Sequence, residues 1–126
     1  MTENEISRWV LTSAIEVHCN LGGPGLLERV YEEALAYELA QRGLTVDRQR
    51  VVPLVYKGRF LSTSLRVDLV VADKVLVECK ATPADNPVFE AQALTYLRLL
   101  NLRLALVINF GKPVVKDGIR RVVNGL

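Results

Sequence analysis

Between Thr2 and Val17 the apolar positions Ile6, Trp9, Val10, Ala14 and Val17, with the small Ser13, recur at the spacing of one helix face. Thr2 and Glu5 supply a capping-box pair at its start. Gly22-Gly23-Pro24-Gly25 breaks the pattern. A second stripe of Leu27, Val30, Tyr31, Ala34, Leu35 and Leu39 predicts a helix from Leu26 to Gln41, with Gly43 as its stop. From Thr45 to Lys80 the period shortens to that of strands. Thr45–Tyr56 predicts a first strand in which Pro53 marks an edge or a bulge, and Lys57-Gly58 predicts a turn. Leu65–Val71 lies in a second strand, and Ala72-Asp73 turns the chain into a third, Lys74–Lys80, so these three are expected to run antiparallel. Asn86 and Pro87 suit the cap and first residue of a helix that runs to about Leu100. Leu104-Ala105-Leu106-Val107-Ile108 is too apolar for a half-exposed strand and predicts a buried central one. A right-handed crossover would set it parallel to the strand around Val77. Val114–Val123 adds either a short strand or a short helix. The expected fold is α/β, with α+β as the alternative: α-α-β-β-β-α-β, a mixed central sheet flanked by helices in a three-layer sandwich.

Composition narrows the class without choosing a function. The 126 residues suit one domain, 1–126, and folding at this size buries about two-thirds of the unfolded chain's surface. Sixteen Lys and Arg against fourteen Asp and Glu give +2, which excludes an acidic disordered tail and gives no bulk-charge sign of nucleic-acid binding. Met1–Ser7 has two Glu and no basic residue, unlike the start of a signal peptide, and no apolar run is long enough to span a bilayer. Cys19 and Cys79 lack C-x-x-C spacing, so reduced thiols in a cytoplasmic protein without membrane attachment are expected. His18 is the single histidine. Any metal would therefore rest mainly on carboxylate oxygens, which favours Mg²⁺ or Mn²⁺ over a closed Zn²⁺ site.

The chemistry is carried by charges placed where charge is expensive. In Lys74–Lys80, alternation puts Val75, Val77 and Cys79 on one face and Glu78 with Lys80 on the other. Asp68 interrupts the apolar run Leu65–Val71 of the preceding strand. Asp68 and Glu78 each lie five residues from Asp73, so a hairpin turning there brings the two acids together. Adjacent carboxylates repel unless a cation or a proton lies between them. A divalent metal held by Asp68 and Glu78 would polarise a phosphodiester and acidify a bound water. Lys80 would then orient that water or stabilise developing charge. A structural ion pair with Lys80 is the competing reading of either acid alone. The joint pattern on adjacent strands favours the metal site.

Asp68 followed by Glu78-Cys79-Lys80 resembles the D…(D/E)xK signature of the PD-(D/E)XK nuclease superfamily, and the predicted element order resembles its restriction-endonuclease-like core. Gly25-Leu26-Leu27-Glu28-Arg29-Val30-Tyr31 is similar to the motif that names its GxxExxY branch. The similarity extends through Ala14–His18, Tyr31–Leu35, Glu90-Ala91-Gln92 and Lys116–Ile119. The resemblance implies a metal-proximal role for Glu28, beside a bland reading as an acid at a helix N-terminus. Gln92 and Tyr96 resemble a QxxxY pair of RecB-like nucleases, i,i+4 neighbours able to face Lys80 or the scissile phosphate. His18 resembles an early-helix metal ligand of some RecB-like members, although a lone His on an amphipathic helix is more commonly structural. Tyr31 joins Tyr96 and His18 as an accessory candidate. Phe89 stands where many members of the branch carry His, and Cys79 stands where an apolar residue is usual.

The expected function is therefore divalent-metal-dependent hydrolysis of phosphodiester bonds, with DNA favoured over RNA. Its catalytic residues would be Asp68, Glu78, Lys80 and Gln92, and its metal ligands Glu28, Asp68 and Glu78. A non-catalytic nucleic-acid- or protein-binding module of the same fold is the alternative, and a homodimer or a partner protein is the expected source of specificity. Asp68, Glu78, Glu28 and Lys80 together carry −2, so the rest of the chain carries +4. An acidic pocket thus sits in a modestly basic shell.

Overall fold

The computed structural model describes residues 1–126. Helix α1 spans Glu3–Asn20, and the Thr2 hydroxyl accepts from the Glu5 amide at 3.2 Å to close its first turn. Ile6, Val10, Ala14 and Val17 form the buried stripe. Trp9 departs from the expected stripe: it is 43% exposed, with the Arg42 guanidinium 5.8 Å from its ring centroid. Helix α2 spans Glu28–Gln41 and buries Tyr31, Leu35 and Leu39. It starts two residues later than the apolar pattern predicts. Gly25 sits at φ 115°, Leu27 is an extended N-cap, and the Leu26 amide is held by the Tyr31 hydroxyl. Leu26 and Leu27 therefore stay in the loop and face solvent.

The strands are β1 (Val46–Tyr56), β2 (Arg59–Val71), β3 (Val75–Lys80), β4 (Leu104–Asn109) and β5 (Ile119–Val123), in sheet order β1-β2-β3-β4-β5. β3 and β4 are parallel, and every other neighbouring pair is antiparallel. Pro53 lies on the edge strand next to a register shift, as its missing N–H predicts. Helix α3 (Pro87–Leu100) supplies the β3–β4 crossover, with the Asn86 side chain accepting from the Val88 amide. The tail, undecided by pattern, provides both alternatives: a 3-10 turn at Val115–Gly118 leads into β5. Gly118 is required there, because a Cβ would run into the Asn109 carbonyl. With β5 outside it, all six residues of β4 are buried.

Two cores make the three layers. One packs α1 and α2 on Leu69, Val71, Val75, Val77 and Cys79. The other packs Ala93 and Leu97 of α3 on Val52, Val67, Val70, Leu76, Ala105 and Val107. No helix is long and apolar enough to cross a membrane.

Candidate active site

The β2–β3 hairpin turns through Ala72 and Asp73, both at positive φ, and pairs Val71 with Val75, Val70 with Leu76 and Leu69 with Val77. The next step of this register is Asp68 opposite Glu78. There the backbone ladder gives way to side chains. The Asp68 amide donates to Glu78 Oε2 at 2.8 Å, and the Cys79 amide donates to Asp68 Oδ2 at 2.8 Å. Each carboxylate thus satisfies a backbone donor on the strand opposite it, which fixes both side chains without any cation.

Strand alternation also breaks at this point. Val67 and Val70 share the core beneath α3, although residues three apart on a regular strand face opposite sides. On β1, Gln49 adopts φ 52° between the pairs Arg48–Leu69 and Arg50–Val67. An irregularity of this kind re-aims a side chain, and Gln49 Nε2 reaches Glu32 Oε1 at 2.8 Å and Asp68 Oδ1 at 3.4 Å.

Burial and mutual repulsion govern the electrostatics. Glu78 is 6% exposed. Desolvation, then the charge of Asp68, pushes its carboxyl up to about 8, against the opposing pull of the Asp68 amide and Lys80. Asp68 rises to about 6 through desolvation, opposed by the Cys79 amide, with Glu32 and Glu28 adding repulsion. The Tyr96 phenol is also raised, by burial and by the charges of Glu78 and Asp68, so α3 faces the same carboxylates. Lys80 forms no ion pair with either acid. Its ammonium lies 4.8 Å from the centroid of Phe89 on α3. Phe89, at the position where many members of the branch carry His, thus receives the lysine on its ring.

A family model of the PD-(D/E)XK nuclease superfamily matches residues 4–122. The chain belongs to this superfamily. No curated protein and no solved structure matches it. Nucleases of the superfamily generally use divalent metal ions, and the donor set here suits one: buried Glu78 and half-buried Asp68 offer hard oxygens that repel each other and lack a fixed counter-cation. No three Asp, Glu, His or Cys side chains converge tightly enough to cage an ion as they stand.

The remaining candidates of this superfamily member divide among three places. Glu28, at the start of α2, shares a cleft of about 760 Å³ with Asp68, Arg66, Gln49 and Glu32. Glu32 was not anticipated as a site residue. It is 4% exposed and bound by Gln49 and by Arg48 at 3.2 Å. Its sequence signal was the i,i+4 spacing from Glu28 on one helix face. Gln92 is exposed on α3, one turn before half-buried Tyr96. His18 and Tyr31 lie in an aromatic cluster instead. Tyr31 stacks on Phe110 at 4.7 Å, and His18 Nε2 is 3.2 Å from the Phe110 carbonyl. The Tyr31 hydroxyl donates to the Gly23 carbonyl while accepting from Leu26, so the Gly and Tyr of the Gly25–Tyr31 motif shape the loop that delivers Glu28. Cys79 points into the core beneath α1 and α2, where burial raises its thiol.

Proposed function

We propose that this chain is a divalent-metal-dependent nuclease of the GxxExxY branch, a single domain over residues 1–126 that hydrolyses phosphodiester bonds, with DNA as the favoured substrate. The observation that carries the reading is the reciprocal Asp68–Glu78 exchange: two desolvated acids, fixed by each other's strands, with no ion-pair partner. Asp68 and Glu78 would hold Mg²⁺ or Mn²⁺, with Glu28 as a further donor from α2. The bound ion would polarise the phosphate and acidify a water. Lys80 orients the attacking water and offsets charge on the phosphate oxygens, its position set by Phe89. Tyr96, and Gln92 one turn before it, would approach from α3 as hydrogen-bond partners for the phosphate.

The alternative, a non-catalytic binding module of the same fold, draws on one observation: no ready-made three-ligand cage is present. Two measurements decide between them. Calorimetry should detect Mn²⁺ binding that disappears in Asp68→Ala and Glu78→Ala. Mn²⁺-dependent cleavage of single-stranded, duplex and branched DNA should fall roughly 100- to 1000-fold in Glu78→Ala and Lys80→Ala. Mn²⁺ binding unchanged by both acid substitutions, or equal cleavage by wild type and variants, would remove the nuclease reading.

A further inference from the structure

β1 and β2 outrun the sheet. β2 pairs with β3 only at Leu69–Val71, while its pairing with β1 continues out to Tyr56 and Arg59. The outer part is thus a two-stranded ribbon without a third strand. Every residue from Val55 to Ser64 is exposed, including Tyr56 at 60% and Phe60 at 77%. A bare ribbon carrying aromatics at its tip is an aggregation hazard unless something covers it.

Charge indicates what the cover is. From Arg48 to Val67 the chain has five Lys or Arg and no acidic residue. Arg48 and Arg50 are committed to Glu32, Asp47 and Asp73. Lys57, Arg59 and Arg66 have no carboxylate partner. The ribbon is also continuous with the candidate site. Arg66 shares the cleft of Asp68, and the span from Phe60 to Asp68 is about 25 Å at the rise of an extended strand. That is within one turn of B-form DNA, whose major groove admits a two-stranded ribbon.

We propose that the β1–β2 ribbon is a duplex-gripping arm. It enters a groove of double-stranded DNA, places Lys57, Arg59 and Arg66 against phosphates and rests Tyr56 and Phe60 on sugar and base edges. It thereby sets the scissile bond at the carboxylates within about one turn of its own footprint. The substrate role rests on the nuclease reading above; the binding surface itself does not.

The test uses the full chain carrying Glu78→Gln, so that binding is read without cutting, and a labelled duplex of about two helical turns. Fluorescence anisotropy should show about tenfold weaker binding when Lys57→Ala and Arg59→Ala are added, with the log–log salt slope reduced by about 2. Phe60→Ala should weaken binding while leaving that slope unchanged. These positions are exposed, and an unchanged melting temperature verifies that the variants fold. Unaltered duplex affinity overturns the arm, as does an equal loss on a single strand of the same length. Sedimentation that instead shows a dimer dissociating in Phe60→Ala, with duplex affinity intact, assigns the ribbon to a second copy. Wild type that binds duplex through the arm yet never cleaves with Mn²⁺ removes the nuclease reading and leaves the arm standing. Cleavage with ribbon-independent binding does the reverse.

Discussion

Two acid-centred clusters lie near the end of β3, one around Asp85 and one formed by Asp68 and Glu78, and they are built on opposite principles. Asp85, in the loop that follows Lys80, accepts from Arg120 at 2.8 Å and from Asn109 at 3.1 Å, with Lys112 at 3.5 Å. The Asn109 bond, with Lys112 and Arg120 behind it, holds its carboxyl below the ordinary value of 3.8. Asn109 also accepts from the Thr82 and Gly111 amides, so this cluster pins the β3–α3 loop. Asp68 and Glu78 are more deeply buried, yet have no fixed cation, and both carboxyls are raised. An acid whose counter-charge is part of the chain holds structure together. Acids bound only by amides, with mutual repulsion left in place, store an unfavourable interaction that a bound cation relieves.

The widest separation between the two clusters should come from isosteric amides. Glu78→Gln removes one of two mutually repelling, desolvated carboxyls, and the amide oxygen can still accept from Asp68 N–H. Its metal-free stability should stay level or rise, while Mn²⁺ binding by calorimetry is abolished. Asp85→Asn should do the opposite: binding unchanged and stability lower by about 1 kcal/mol in urea unfolding, the scale of a partly exposed, hydrogen-bonded ion-pair cluster. If Glu78→Gln were the destabilising change, the acids would belong to the folding apparatus and the contrast would collapse.

Phe89 tests why Lys80 does not act for Glu78 as Arg120 does for Asp85. A cation over an aromatic face is stabilised by about 1 kcal/mol. Without the ring, the ammonium is free to settle on the carboxylates and compete with a metal. Phe89→Leu should therefore weaken Mn²⁺ binding and slow cleavage about fivefold, the equivalent of that energy. Unchanged binding and rate would show that the ring only packs.

Much of this arrangement was legible along the chain, and the gaps have physical causes. The Asp73 pivot could be found because strand period and turn residues are local signals, and it sets Asp68 opposite Glu78 in the register. The three layers and the parallel β3–β4 pair followed from the same patterns. The break in alternation at Asp68 could not be read, since it arises where Gln49, nineteen residues away, meets it across the ladder. Glu32 was hidden for the same reason: its burial depends on Arg48 and Gln49 from another element. Trp9 and Leu27 misled because hydrophobic spacing records what can be buried, whereas the Gly25 loop and the Arg42 contact decide what is. The role of Phe89, which stands where many members of the branch carry His, is not visible in sequence because a cation–π contact leaves no trace in residue polarity.

The subtlest difference between the clusters is the sign of their pH dependence. Glu78 and Asp68 rise from 4.5 and 3.8 to about 8 and about 6 on folding. Between those limits the folded chain holds protons that the unfolded chain has released, so these groups make stability fall as pH rises. Asp85 is depressed, so its contribution is complete above 3.8 and fades only as pH drops through its lower folded value. Metal-free melting temperature should therefore decline from pH 5 to pH 8, become shallower in Glu78→Gln, where Asp68 still contributes, and keep its slope in Asp85→Asn. Saturating Mn²⁺ should remove the decline in wild type, because the ion takes the place of the proton between the two carboxylates. A slope insensitive to both Glu78→Gln and Mn²⁺ would mean that the acids are already neutralised within the fold, as Asp85 is.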